Sequence, residues 1–340
     1  MSEKSLLKNT VKHVDITSFD STPIINSYRN MSFSSREIAN AADILEKMVK
    51  DKDSTNILTL AGSTIAAGCK KIYSDMMQSN MIDVIVSTGA NIIDMDFFEA
   101  LGFRHYQGTP EVDDAKLREM YIDRIYDTFI DEAELQTCDK IILDIADSLE
   151  SRPYSSREFI GQMGKYLQDK NVAPDSIVRL AYEKKIPIFC PAFSDSSAGF
   201  GLVMHQQNRI DKEQSYLTID SVADFRELTY IKRKAKQSGL FMIGGGVPKN
   251  FAQDTVVCAE LLGDGVPMHK YAVQITVADV RDGACSSSTL SEAQSWGKVD
   301  RTLSQMVFAE ATTVLPLIVS YVYHKKDWKQ RTPKKWTNIL

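Results

Sequence analysis

Leu240-Phe241-Met242-Ile243-Gly244-Gly245-Gly246-Val247-Pro248-Lys249-Asn250-Phe251-Ala252 is the stretch on which the fold turns. Leu240–Ile243 is an apolar run of buried-strand length. Three glycines end it, and a helix is predicted to contain Ala252–Leu262. Three glycines let a backbone approach a phosphate or a ring closely, and a following helix start favours an anion. They equally suit a tight turn that merely needs positive φ angles, and the spacing is not the GxGxxG of dinucleotide-binding turns. Both readings stand at this point.

The same alternation recurs on either side. Ile57–Leu60, Val84–Ser87, Lys140–Ile145, Ile186–Phe193 and Tyr271–Thr276 are further short apolar runs that read as buried strands. The amphipathic stretches Ile65–Met77, Lys116–Ile130 and Asp175–Lys184 read as helices, the last with Pro174 near its first turn. Ser34 and Glu37 have capping-box spacing, and Ile38, Ala42, Leu45 and Met48 follow at helical intervals, which predicts a helix from near Ser35. Strands alternating with helices imply an α/β fold with a mostly parallel sheet covered on both faces. Ligands in such sheets sit beyond the carboxyl ends of the strands. The segments to search are therefore Ala61–Gly68, Thr88–Asp96, Ser194–Gly201, Gly244–Lys249 and Val277–Lys298. The expected organisation is a polar N-terminal extension (1–35), one large domain (36–325), and a basic tail (326–340) with two tryptophans that reads as a surface element.

Of the 340 residues, 43% are hydrophobic and 25% charged, the balance of a globular chain rather than a disordered one. A net charge of -5 argues against a nucleic-acid partner and suits small cationic substrates. No apolar run approaches the roughly 20 residues of a membrane span, and the start lacks the apolar core of a secretory signal. Cys69, Cys138, Cys190, Cys258 and Cys285 form no CxxC pair, which is simplest as reduced thiols in a cytoplasm. With five dispersed histidines, no metal site is expected.

Two more small-residue turns follow predicted strands, Ala61-Gly62-Ser63-Thr64 and Ser87-Thr88-Gly89-Ala90. Each alone fits simple close packing; three on neighbouring strand ends are a better sign of a nucleotide cleft. Asp195, after Pro191–Ser194, either holds ribose hydroxyls or caps the next helix. The segment from Asp282 through Ser288 to Glu292 and Ser295-Trp296-Gly297-Lys298 is the most unusual. Lys298 reads as a surface lysine, or as a desolvated Schiff-base nucleophile whose burial exposes a free amine. An aromatic ring and a carboxylate beside it are what a polyamine chain needs.

GGGVPK (Gly244–Lys249) and EAQSWGK (Glu292–Lys298) resemble the two signature stretches of deoxyhypusine synthase. The resemblance covers roughly Ile57 to Tyr323 and includes GSTIAAG (Gly62–Gly68), STGA (Ser87–Ala90) and PAFSD (Pro191–Asp195). It implies a Rossmann-like, doubly wound domain, a homotetramer with active sites at subunit interfaces, and NAD as cofactor. NAD contacts are then expected near Ser63, Thr88, Gly89, Asp195, Gly244, Gly245, Gly246, Asp282, Ser286 and Glu310. Lys298 falls on the family's nucleophile, and Asn250, Asp254, Cys285, Glu292 and Trp296 fall on its polyamine site. The implied reaction moves the 4-aminobutyl group of spermidine through a Lys298 imine to an acceptor amine, the lysine of the hypusine-containing translation factor.

The departures from the family pattern cluster in the amine site. Asn250 stands for a histidine, Cys285 for an aspartate, Phe200 for an acidic residue and Asp254 for an asparagine. Losing carboxylates weakens recognition of a cationic chain. That opens a second reading, a homospermidine synthase-like transferase with putrescine or another small amine as acceptor. A third is a non-catalytic NAD-binding protein, which the joint presence of Glu292, Trp296 and Lys298 disfavours.

Overall fold

The computed structural model describes residues 6–340. Six parallel strands form the central sheet: β1 (Ser54–Leu60), β2 (Val84–Ser87), β3 (Ile188–Phe189), β4 (Gln237–Ile243), β5 (Tyr271–Thr276) and β6 (Ser304–Phe308). Their spatial order is β6-β5-β4-β1-β2-β3. The chain winds outward from β1 to β3, crosses back, and winds outward again from β4 to β6. This is the doubly wound α/β order, and its switch point lies between β1 and β4.

Alternate residues of the central strands enter two cores. Leu58, Leu60, Phe241, Ile243, Val273 and Ile275 pack on one face. Ile57, Val84, Val86, Leu240, Met242 and Ala272 pack on the other. Each of the larger side chains contributes on the order of 1.5–3 kcal/mol by leaving water. A strand covered on both faces must also satisfy its polar residues internally. In β1, the Asn56 amide donates to Met81 O (2.9 Å), and the Asn56 backbone N–H donates to Asp83 Oδ2 (2.8 Å).

The structure corrects several sequence expectations. Lys140–Ile145 is not a strand; it belongs to a helix over Glu132–Asp147. Asp131 caps that helix by accepting from Ala133 and Glu134 N–H, and Cys138, Ile142, Ile145 and Ala146 are buried at helical spacing. A short apolar run inside a buried helix is indistinguishable by pattern from a strand. Lys116–Ile130 divides into a helix, Asp114–Glu119, and an antiparallel hairpin of Ile122–Ile125 with Thr128–Asp131. Edge strand β6 has no uniform apolar run to betray it.

At the start of the Ser34–Lys50 helix the expected capping box does not form, because Phe33 with φ 57° occupies the N-cap position. The N-terminal segment is packed: Ile16 and Ile25 are fully buried, and His13 Nε2 lies 2.7 Å from Glu99 Oε2. The basic tail is packed too. The Arg331 guanidinium is buried, donates to Asp83 Oδ2 (2.6 Å), and also reaches Asn80 O, Val49 O and Ser54 O. A tail read as surface decoration thus closes the amino end of β1.

Candidate active site

At the carboxyl end of β1 the chain turns through Ala61–Ser63, and at the end of β4 through Gly244–Gly246. These turns flank the switch point. A cavity of about 660 Å3 lies against them, lined by Gly62, Ser63, Gly244, Gly245, Ser286 and Glu310 among others. A second hollow of about 310 Å3 shares Ser63 and continues past Thr88, Gly89, Asp195 and Gly246. The crevice therefore has two lobes, one on each side of the Gly62–Ser63 turn.

Backbone, more than side chains, builds this crevice. Gly244 and Gly246 have φ of 73° and 63°, the left-handed region where glycine is at no disadvantage. Gly245 is needed for a different reason: a Cβ there would lie 2.4 Å from Ser286 Cα, a main-chain atom of the facing wall. Two buried amides hold the turns in place. Gln274 Nε2 donates to both Gly244 O and Ser286 O (3.0 Å each). Asn91 Nδ2 donates to Gly62 O (2.6 Å) and Thr88 Oγ1 (3.0 Å). The amide oxygens, Gln274 Oε1 and Asn91 Oδ1, are buried with no hydrogen-bond partner among the described residues.

Beyond the segment 283–288 lies a separate cavity of about 580 Å3, lined by Asn250, Asp254, Cys285, Glu292, Trp296 and Lys298 together with Phe225 and Leu261. Lys298 is largely buried here. Its Nζ lies 2.5 Å from Asp254 Oδ1, donates to Asn250 Oδ1 (3.3 Å), and sits 5.1 Å from the Trp296 ring centroid. Asn250 Nδ2 in turn donates to Asp254 Oδ2 (2.7 Å), closing a three-residue ring. The helix Gly246–Gln253 carries Asn250, and Asp254 terminates it, so the GGG turn places both. The other wall is the short helix Leu290–Ser295, capped by Thr289; the Glu292 carboxylate accepts from Thr289 N–H, which holds it below the usual carboxylate range.

Lys249 ties the two cavities together. Its side chain is almost fully buried, and its ammonium donates to Ser288 O (2.5 Å) and Ser288 Oγ (3.0 Å) in the dividing segment. Burial pushes this lysine down to about 8.

Nine of the ten expected cofactor residues line the two-lobed crevice, and the five expected amine-site residues line the Lys298 cavity. Asp282 is the exception. It is exposed, and its carboxylate accepts from Ala284 N–H (2.8 Å) and the Ser287 hydroxyl, shaping the loop from within. Phe200 is exposed on the helix Ser197–Ile210 and is not part of the Lys298 cavity. Sequence reading does not single out Gln274, Asn91, Phe225 or the hairpin turn at Tyr126, which lines the larger lobe. Gln274 had a signal, as the polar residue inside the buried run Tyr271–Thr276; Tyr126 had none.

Among the described residues, no helix is long and apolar enough to cross a membrane, and no three His, Cys, Asp or Glu side chains are grouped to hold a metal. A family model, deoxyhypusine synthase, matches residues 23–322. A deoxyhypusine synthase-like protein from Coxiella burnetii is 62% identical over 339 residues, covering 99% of this chain and 96% of its own length. One of the same description from Caulobacter vibrioides is 62% identical over 336 residues, covering 98% and 92%. The crystal structure of a "putative deoxyhypusine synthase" from Entamoeba histolytica superposes with a TM-score of 0.62 at 22% identity, covering 95% of this chain and 99% of that one. With the doubly wound sheet and the Lys298 cavity beside it, these likenesses make the chain a member of the deoxyhypusine synthase family.

Proposed function

We propose that this protein is an NAD-dependent aminobutyl transferase that uses Lys298 as its nucleophile. The observation that carries this reading is the surroundings of Lys298: a largely buried ammonium, ringed by Asp254, Asn250 and the Trp296 face, in a cavity that shares a wall with the crevice at the switch point. A polyamine needs carboxylates for its ammonium groups and an aromatic face for its methylenes. Family membership supports the transferase class.

NAD fits the crevice on physical grounds. The two lobes suit its two halves, the backbone at Gly245 comes within contact of Ser286, and Gln274 and Asn91 each keep a buried amide oxygen to spare. Ser63, Gly244 to Gly246 and Ser286 would hold it, with Asp195 and Glu310 at the two lobes as candidates for ribose hydroxyls. Bound there, NAD supplies a hydride acceptor for the carbon beside the secondary amine of spermidine and a hydride donor at the end of the cycle. The chain's own part is to bind the amine between Trp296, Glu292 and Asp254, to exclude water from Lys298, and to hold the aminobutyl group on Lys298 as an imine until an acceptor amine displaces it.

The departures at Asn250, Asp254 and Cys285 favour a second reading in which the acceptor is a small amine such as putrescine. A mass-spectrometric product assay with NAD and spermidine separates the two, with putrescine and the hypusine-type translation factor offered separately. An aminobutylated protein lysine supports the deoxyhypusine reading, and homospermidine supports the second. Lys298→Ala is expected to lower either product at least ~1,000-fold, the scale for a lost covalent nucleophile. Turnover by Lys298→Ala near the wild-type rate would sink both. A homotetramer with the site completed by a second subunit belongs to the same proposal, and Trp296, 69% exposed in the single chain, is where such a contact is expected.

A further inference from the structure

Resting on that reading, we infer that Asp254 is the proton-transfer residue of the amine exchange at Lys298. An ammonium cannot attack an imine; it must first lose a proton. The carboxylate positioned to take it is already in contact. Asp254 Oδ1 lies 2.5 Å from Lys298 Nζ, within the reach that acid–base transfer requires. Asn250 makes the arrangement directional. Its Nδ2 donates to Asp254 Oδ2 (2.7 Å) and its Oδ1 accepts from Lys298 (3.3 Å). The amide fixes one carboxylate oxygen and leaves Oδ1 aimed at the lysine. A purely structural ion pair has no need of this placement, because both members border the 580 Å3 cavity where the substrate carbon must come to rest.

The exchange balances with Asp254 alone. The Lys298 ammonium gives one proton to Asp254, and its freed lone pair attacks the carbon of the protonated substrate imine. The carbon–nitrogen π electrons move onto the departing nitrogen. Asp254 returns its proton to that nitrogen and takes the next from the Lys298 nitrogen. The bond to the departing amine then breaks, and the Lys298 lone pair closes the new imine. The last proton leaves with the departing amine, so the carboxylate is regenerated and no electron is gained or lost. Transimination by the acceptor runs the same steps backward.

The other charged or titratable groups around the pair are accounted for. Lys249, on the helix that carries Asn250, spends its ammonium on Ser288. Glu292, on the opposite helix, accepts from Thr289 N–H through one oxygen and makes no hydrogen bond or ion pair with Lys298 Nζ among the described residues. Cys285, in the dividing loop, and Cys258, on the helix Thr255–Leu261, line the same cavity, but among the described residues Lys298 Nζ bonds only to Asn250 and Asp254.

The test compares wild type, Asp254→Asn and Asp254→Glu in two assays. The first measures transfer with NAD, spermidine and acceptor across pH, with borohydride trapping of the aminobutyl adduct on Lys298. The second needs no cofactor and measures reductive alkylation of Lys298 by acetaldehyde and cyanoborohydride. Asp254→Asn is expected to lower kcat at least ~100-fold, the usual scale of a lost general base. In the second assay the same variant should alkylate faster, because the carboxylate in contact with Lys298 Nζ no longer occupies it in an ion pair. Asp254→Glu should recover part of the transfer rate. Opposite signs in the two assays separate proton transfer from positioning, which would slow both or neither. Asp254→Asn turnover within about twofold of a wild type that forms the adduct overturns the proton role alone. Absence of any adduct in wild type overturns the transferase reading together with it.

Discussion

The two cavities that meet at the 283–288 segment are built by different means. The crevice at the switch point is a backbone site. Its shape comes from Gly244, Gly245 and Gly246, from the Gly62 and Gly89 turns, and from buried amides that pin those turns together. The Lys298 cavity is a side-chain site. Its character comes from Lys298, two carboxylates, the Asn250 amide, the Trp296 indole and the exposed Cys285 thiol, set on helices and on the loops beside them. A backbone site tolerates little change at its glycines: a Cβ at Gly245 meets main chain and one at Gly89 meets the Ser196 side chain, while Gly62, Gly244 and Gly246 hold positive φ angles that other residues rarely adopt. A side-chain site is rewritten one residue at a time with its frame intact. Every family departure noted in the amine site falls on a side chain, and none falls on a glycine of the crevice.

Gly245→Ala attacks the backbone site and is expected to have the larger effect. The new Cβ would meet Ser286 Cα at 2.4 Å, so either the glycine turn or the dividing segment must shift. Overpacking of this kind costs about 1–3 kcal/mol, or roughly a 5- to 150-fold rise in the NADH dissociation constant. Fluorescence titration of NADH reads it directly. Cofactor-free alkylation of Lys298 should stay within about twofold of wild type. An unchanged NADH affinity would mean that the crevice is not where the cofactor binds, and the contrast between the two cavities would lose its basis.

Cys285→Asp works on the side-chain site and leaves the frame alone. A carboxylate at this exposed position adds an anionic partner for a polyamine ammonium. We expect the KM for spermidine to fall about 5- to 10-fold, the lower end for a charge-assisted bond because water competes there. NADH affinity should not move. Steady-state kinetics with both ligands checks this, and a joint change in KM and NADH affinity would show that the dividing segment couples the two sites instead of separating them.

Legibility in the sequence divides along the same line. Strand–glycine–helix turns are local: Leu240–Ile243 followed by Gly244–Gly246 announces both a strand end and a close approach, and the structure places the turn at the switch point. Asp254 joins Glu292, Trp296 and Lys298 only through family resemblance, because residues 44 positions apart share a cavity only once β5 and the 283–288 loop have folded back. Lys140–Ile145 failed as a strand because six apolar-rich residues carry no periodicity of their own; the cap at Asp131, nine residues upstream, decides for helix. The Tyr126 turn and the Arg331 anchor are tertiary facts with no local signal. Gln274 lay between these cases. A lone polar residue in a fully buried strand must find partners, but only the fold shows that they are Gly244 O and Ser286 O.

Behind the side-chain site runs a buried polar chain whose perturbation should have the smallest effect. Lys232 Nζ donates to Ser238 Oγ (2.6 Å), which lies 2.9 Å from His269 Nδ1. With Nδ1 accepting from the Ser238 hydroxyl, His269 Nε2–H donates to Ala252 O (3.2 Å) on the helix that carries Asn250. The backbone N–H of His269 donates to Lys298 O (2.9 Å). Burial without a carboxylate partner pushes Lys232 down to about 7. Between about pH 7 and its unfolded value of roughly 10.5, the unfolded chain holds a proton that the folded one has lost, so native stability rises with pH across that window. Lys232→Met removes the ionisation and with it that slope. The variant should melt a few degrees higher near pH 7, on the order of 1–2 kcal/mol, with the advantage shrinking toward pH 10. Thermal melts at several pH values measure both quantities. Parallel pH slopes in wild type and variant would show that Lys232 keeps its proton in the fold. The chain from Lys232 to His269 would then be a charged strut beneath the active lysine rather than a neutral one.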